Sequence, residues 1–359
     1  MEEFNKLLIK AKCERYDDMA KVYPLSFNCH DKSVTVVCFN KDNTLFFSAG
    51  KDGFINIFNA IKYIRLLEVK LEQAILNMFI SNDSQYLVCF SYIENIYIVN
   101  VASGTVQEKI SLSDYKIISS SADYGNKTLT LLLNKIGERE HEVRTYDFKK
   151  LLDLGVKREQ DVMKKSLINS FVIKEFEYTS MICDFSAEFI YFSLRNEGTV
   201  EKYSRGGELI TRNNFNSKDI KKLKFTRRYE FLVMCCNNGV RMLNPDDLSE
   251  LQYIQTNTPV LSFDISPLCY KKDNSKRYHL VYAGGVEAMD IANRAQGGLE
   301  IHVYNFIKKK HLLSLAGHFG PVNCIEFFKD GNGFITAGEE GFVRIYRIDK
   351  KYLTEKDLE

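Results

Sequence analysis

Residues 316–349 read AGHFGPVNCIEFFKDGNGFITAGEEGFVRIYRID. Three apolar runs, 322–328, 334–337 and 342–348, are separated by the turn signals Lys329-Asp330-Gly331 and Glu339-Glu340-Gly341. Short runs of this kind bounded by Asp/Gly clusters predict strands joined by tight turns. Gly317-His318 closes a further strand, so the stretch predicts one four-stranded antiparallel unit. Its polar residues fall at fixed places: His318 in the loop leading in, Thr336 on an inner strand, Glu340 in the last turn, with the ring of Tyr346 six positions later. Buried polar groups must be paired, so the histidine, the hydroxyl and the carboxylate are expected to tie the loop, strand and turn together.

The same arrangement stands near the start. Cys29-His30 corresponds to Gly317-His318, Ser48 to Thr336, Asp52 to Glu340 and Phe58 to Tyr346, and both His-to-acid intervals are 22 positions. The pattern resembles the WD40 repeat, which implies a β-propeller, and a usual repeat of roughly 40 to 45 residues accommodates several further units between the two. Apolar runs at 75–80, 86–91 and 96–101 make a second. Residues 117–148 make a third, followed by a polar connection or loop over 149–165. A fourth runs over 171–205, a fifth uses 221–225, 231–236 and 240–244, and a sixth 260–265, 279–284 and 299–306, interrupted at 285–298. The fold class is therefore all-β, a seven-bladed propeller over 24–350. Residues 351–359 form a tail, and an extension over 1–23 has Phe4, Leu7, Leu8 and Ala11 at helical spacing. An open ring would leave unpaired strand edges, so 25–28 are expected to pair beside 342–347 and complete the last blade.

Composition narrows the function. The 49 basic and 47 acidic residues leave a net charge of +2, unlike the footprint of a nucleic-acid-binding domain. Tandem basics at Lys221-Lys222, Arg227-Arg228, Lys271-Lys272 and 308–310 are read first as solvated rim, with electrostatic contact to ribosomal RNA as the sharper reading. The 9 cysteines include no CxxC pair and read as reduced core residues. With no apolar run of 18 residues and no basic-then-apolar leader, a cytoplasmic protein is expected. Gly284-Gly285 lacks the remainder of a phosphate loop, and the 6 histidines form no metal or nucleophile motif. The sequence predicts neither enzyme nor cofactor.

Four segments carry a more specific resemblance: Gly284-Gly285-Val286-Glu287-Ala288-Met289-Asp290, Gly297-Gly298-Leu299-Glu300, 316–323 (AGHFGPVN) and 338–345 (GEEGFVRI). Together with Asn257-Thr258-Pro259-Val260 and Ile265-Ser266-Pro267 they resemble the i subunit of eukaryotic translation initiation factor 3. The likeness is densest over 244–352 and looser toward the N-terminus. It implies a non-enzymatic scaffold that receives a C-terminal helix of the b subunit and a segment of the g subunit at its later blades, in association with the small ribosomal subunit. The family usually has Trp in several blades and this chain has none. Its SPD turn is here Thr226-Arg227-Arg228, and an SRDT-like turn is Cys236-Asn237-Asn238-Gly239. The b-subunit helix is expected on the flank of blades five and six, at Arg227, Arg228, Tyr229, Asn237, Asn238, Met289 and Asp290, and to present acid there. A different WD40 adaptor, such as a ribosome-bound receptor or a G-protein β-like module, is the competing reading.

Overall fold

The computed structural model describes residues 24–348 apart from 124, 139, 175–176, 196, 218, 268–278, 286–297 and 307. The extension over 1–23, the tail over 351–359 and most of the 285–298 interruption lie outside the described residues. Within them the strands form seven four-stranded antiparallel sheets, six of consecutive strands and a seventh in which Leu25–Asn28 is the outer strand beside Phe342–Arg347. Leu25 faces Ile345 and Asn28 faces Phe342. The ring is thus closed by the N-terminal strand, as edge satisfaction demands.

The inner strands pack around one axis, with Val34–Phe39 lying between Ile75–Ile80 and Val322–Phe327. Middle strands are buried on both faces: Phe46, Phe47, Ile55, Ile57 and Phe58 of blade one are all at most 1 % exposed. Outer strands alternate instead. Leu209–Asn214 has one face toward the blade and one toward water, the half-buried strand of a solvent-facing sheet.

In six inner strands the register slips once, at the second residue in five of them and at the fourth in Tyr115–Ala122, leaving Thr35, Leu76, Ile118, Thr179, Leu261 and Asn323 as bulged positions. A bulge re-aims one side chain, and all six line a cavity at the mouth of the central channel. In blade five Lys221, just ahead of Lys222–Phe225, lines it from the equivalent place.

Blade three departs from the sequence reading. Residues 149–165, expected as a loop, contain two helices, α1 (Phe148–Val156) and α2 (Val162–Ser166). The carboxylate of Asp147 accepts from the Lys150 N–H at 2.8 Å and caps α1, while Phe148, Leu151 and Leu152 bury their rings and branches against blades two and three. Leu167–Lys174 then returns as the outer strand of blade three, so Phe171 belongs to that blade and not to the fourth. Only one stripe of α1 is apolar and the rest is polar, so the segment reads in sequence as a polar connection.

Candidate docking surface

The two polar sets have closely similar geometry. In blade one, His30 Nδ1 lies 3.0 Å from Asp52 Oδ2 and His30 Nε2 lies 2.8 Å from Ser48 Oγ. In blade seven, His318 Nδ1 lies 2.6 Å from Glu340 Oε1 and His318 Nε2 lies 2.6 Å from Thr336 Oγ1. A carboxylate beside Nδ1 fixes the proton there, leaving Nε2 to accept from the hydroxyl. Burial holds both imidazoles below their ordinary pKa, against the pull of the neighbouring carboxylates. Burial works to raise Glu340, but the bond from His318 and the nearby Arg344 charge hold it low.

Phe58 and Tyr346, at the Trp places, contribute packing to these sets. Phe58 stacks on Phe46 at 4.5 Å and Tyr346 on Phe334 at 5.1 Å. Phe58 has no polar atom to offer, and the Tyr346 hydroxyl reaches Ala316 O at 3.4 Å. The polar fourth partners are residues that sequence reasoning missed. Asn56 Nδ2 donates to His30 Nε2 at 3.2 Å and to Cys29 O at 2.9 Å, and the Arg344 guanidinium pairs with Glu340. Both stand 26 positions after their histidine, a shared offset that could have found them.

These sets predict a pH signature. His318→Ala leaves Thr336 and Glu340 short of a partner, which costs about 1–3 kcal/mol. A histidine with a lowered folded pKa contributes stability that is fully present above its unfolded value of about 6.5 and is lost as pH falls below it. The melting gap between wild type and His318→Ala, measured by scanning calorimetry, is therefore expected to be full at pH 7.5 and to narrow below pH 6.5. A gap that widens on acidification, or no gap against the exposed control Lys62→Ala, contradicts it.

The residues expected to form one docking flank are not brought together. Arg227, Arg228 and Tyr229 occupy the turn between Lys222–Phe225 and Leu232–Cys236, whereas Asn237 and Asn238 occupy the turn from that second strand into Gly239–Leu243. Successive turns of an antiparallel sheet lie at opposite ends of their shared strand, so a strand of 5 residues puts about 16 Å between them. The amides also have internal duties: Asn237 donates to Asp219 at 3.0 Å, and Asn238 Oδ1 accepts from Ser217 at 3.1 Å. Met289 and Asp290 lie outside the described residues.

At the Arg227 end the structure adds a ring. Phe185, in the corresponding turn of blade four, is 55 % exposed and meets Tyr229 edge-on at 5.6 Å, and Tyr229 rests on Phe225 at 5.0 Å. Phe185 lies two residues beyond the end of Tyr178–Cys183. Two exposed arginines thus border an aromatic pair across two adjacent blades, the composition of an interface anchor.

Among the described residues no group of three His, Cys, Asp or Glu side chains is placed to hold a metal, and none of the helices is long and apolar enough to cross a membrane. The WD domain, G-beta repeat family matches residues 22–59 and 309–347, the two stretches that carry the histidine sets. The chain is a seven-bladed β-propeller whose first and last blades match the WD40 repeat. This propeller resembles eukaryotic translation initiation factor 3 subunit I of Dictyostelium discoideum, 23 % identical over 93 % of this chain and 96 % of the relative. It resembles the Brugia malayi subunit I at 25 % over 92 % and 98 %, and the Homo sapiens subunit I at 22 % over 92 % and 97 %.

Proposed function

We propose that this propeller is a non-catalytic scaffold subunit of eukaryotic translation initiation factor 3 in the cytoplasm. It would dock the C-terminal helix of the b subunit and a segment of the g subunit, and reach the small ribosomal subunit through them. The observation that carries the reading is the coverage: relatives named as subunit I align from end to end, at 92–93 % of this chain and 96–98 % of theirs. A shared propeller alone would not carry it, because function resides in sites and not in the fold.

The docking flank is proposed at the end of blades four and five that carries Arg227, Arg228, Tyr229 and Phe185. Exposed arginines beside an aromatic pair suit a helix with an apolar stripe and an acidic border. The sets at His30 and His318 hold the blades rigid and have no catalytic part. A pull-down with the b-subunit tail of the same organism tests this. Arg227→Glu with Arg228→Glu and Tyr229→Ala is expected to weaken retention by about tenfold or more, the loss of one or two anchors. Unchanged retention moves the flank elsewhere. If the wild-type ring recovers no initiation-factor subunit at all, the competing WD40 adaptor reading replaces this one.

A further inference from the structure

The channel mouth has a chemistry that the scaffold reading does not use. Its cavity, about 360 Å³ in volume, is lined by Lys51, Lys221 and Lys222 and by no carboxylate. Two of the lysines have counter-ions at the edge of ion-pair range, one half-buried and one exposed: Lys221 stands 3.9 Å from Asp219 and Lys51 stands 4.0 Å from Glu339. The Lys222 ammonium has no carboxylate within 4 Å among the described residues, and its contact is the Cys324 sulfur at 3.7 Å. Two residues along the same strand, Lys224 is treated differently: Asp264 and Glu326 each approach it at 2.9 Å. The deeper layer is neutralised within itself. The mouth is not.

Thr35 and Thr179 donate to backbone carbonyls, but the serine hydroxyls around the cavity repeat the imbalance. Ser119 Oγ accepts from the Met181 N–H at 3.2 Å, Ser180 Oγ from the Leu223 N–H at 3.3 Å, Ser120 Oγ from Asn77 at 3.1 Å and Ser33 Oγ from Asn323 at 2.8 Å. In each bond the serine oxygen is the acceptor, so each hydroxyl proton still needs somewhere to go. Ser33, Ser120 and Ser180 are all buried, where an idle donor is costly. The site therefore gathers three ammonium groups and four hydroxyl donors around a space with no protein anion in it.

We propose that the mouth of the central channel binds a small polyvalent oxyanion of the pyrophosphate class, with Lys222 as its principal charge and the serine hydroxyls as its neutral donors. Charge-assisted bonds to an oxyanion are the strong kind, and a volume of about 360 Å³ falls in the range of small-ligand sites. The bulges shape the site, since six blades each send one uncharged bulged residue to the mouth, and blade five, which has no bulge, supplies Lys221 and Lys222 instead.

Isothermal titration of the full chain with sodium pyrophosphate at low ionic strength tests it. One saturable site per chain is expected, weakened about tenfold or more by Lys222→Gln. Lys222→Arg is expected to hold affinity within about threefold, and Lys62→Gln, on an exposed turn, to leave it unchanged. Melting curves of each variant check that the ring still folds. Absence of saturable binding to the folded wild type overturns the proposal, as does equal loss in Lys222→Gln and Lys62→Gln. Competition by ADP and by inositol hexakisphosphate separates a nucleotide source from an inositol phosphate source, and failure of both to compete assigns the site to the free anion. None of these readouts involves initiation-factor subunits, so this proposal and the scaffold reading fail separately.

Discussion

Removing residues 1–28 is expected to lower the melting temperature of the propeller by on the order of 10 °C, while removing residues 1–21 is expected to change it little. The longer deletion strips Leu25–Asn28 from the edge of the last blade, with its whole ladder against Phe342–Arg347. It also removes Phe27, whose ring lies 5.1 Å from Phe58 and 5.9 Å from Phe46. Loss of a packed phenylalanine side chain costs about 3–5 kcal/mol, and each kcal/mol is worth about 2–4 °C in a large domain. The exposed edge of Phe342–Arg347 then becomes a template for pairing between chains. Light scattering during the melt should accordingly rise for the longer deletion alone. Equal melting temperatures for the two deletions would contradict closure as a source of stability.

The second large effect is expected at Gly341. Its φ is +87°, a conformation that costs an L side chain about 1–2 kcal/mol. A Cβ there would also collide with the backbone carbonyl of His30, where blade seven meets the loop leading into blade one. Gly137 has the same φ of +87° but open space around it, so it isolates the conformational part. Gly341→Ala is expected to destabilise by about 2–5 kcal/mol, the sum of backbone strain and overpacking, and Gly137→Ala by about 1–2 kcal/mol. Urea melts of both variants measure the difference. Similar losses at the two sites would show that the contact with His30 is relieved at no cost.

Leu25–Asn28 and Gly341 both lie where the ring closes, whereas the docking flank and the channel mouth come from blades set side by side around one axis. The flank at Arg227 exists because the corresponding turns of blades four and five come side by side, which lets Phe185 meet Tyr229. The channel mouth exists because seven inner strands converge on one axis. A rigid ring can hold such groups in place without help from a partner, which reduces the entropy a ligand or docking helix must overcome.

The sequence alone determined what depends on near neighbours. Strand and turn succession is written as short apolar runs with Asp-Gly punctuation, and the His-to-acid interval of 22 positions repeats because one blade of fixed strand lengths sets it. Seven blades and the strand that closes the ring could be read from these signals, since unpaired edges carry a penalty the chain must answer. The tertiary structure decided what depends on direction and convergence. Whether Arg227 and Asn237 share a surface turns on which end of Leu232–Cys236 each occupies, a matter of strand sense that residue type does not encode. The partnership of Asn56 with His30 requires that strand's pleat to face the loop. That Lys222 lacks a carboxylate while Lys224 has two is set by residues up to 102 positions away, brought to one axis only when the ring closes.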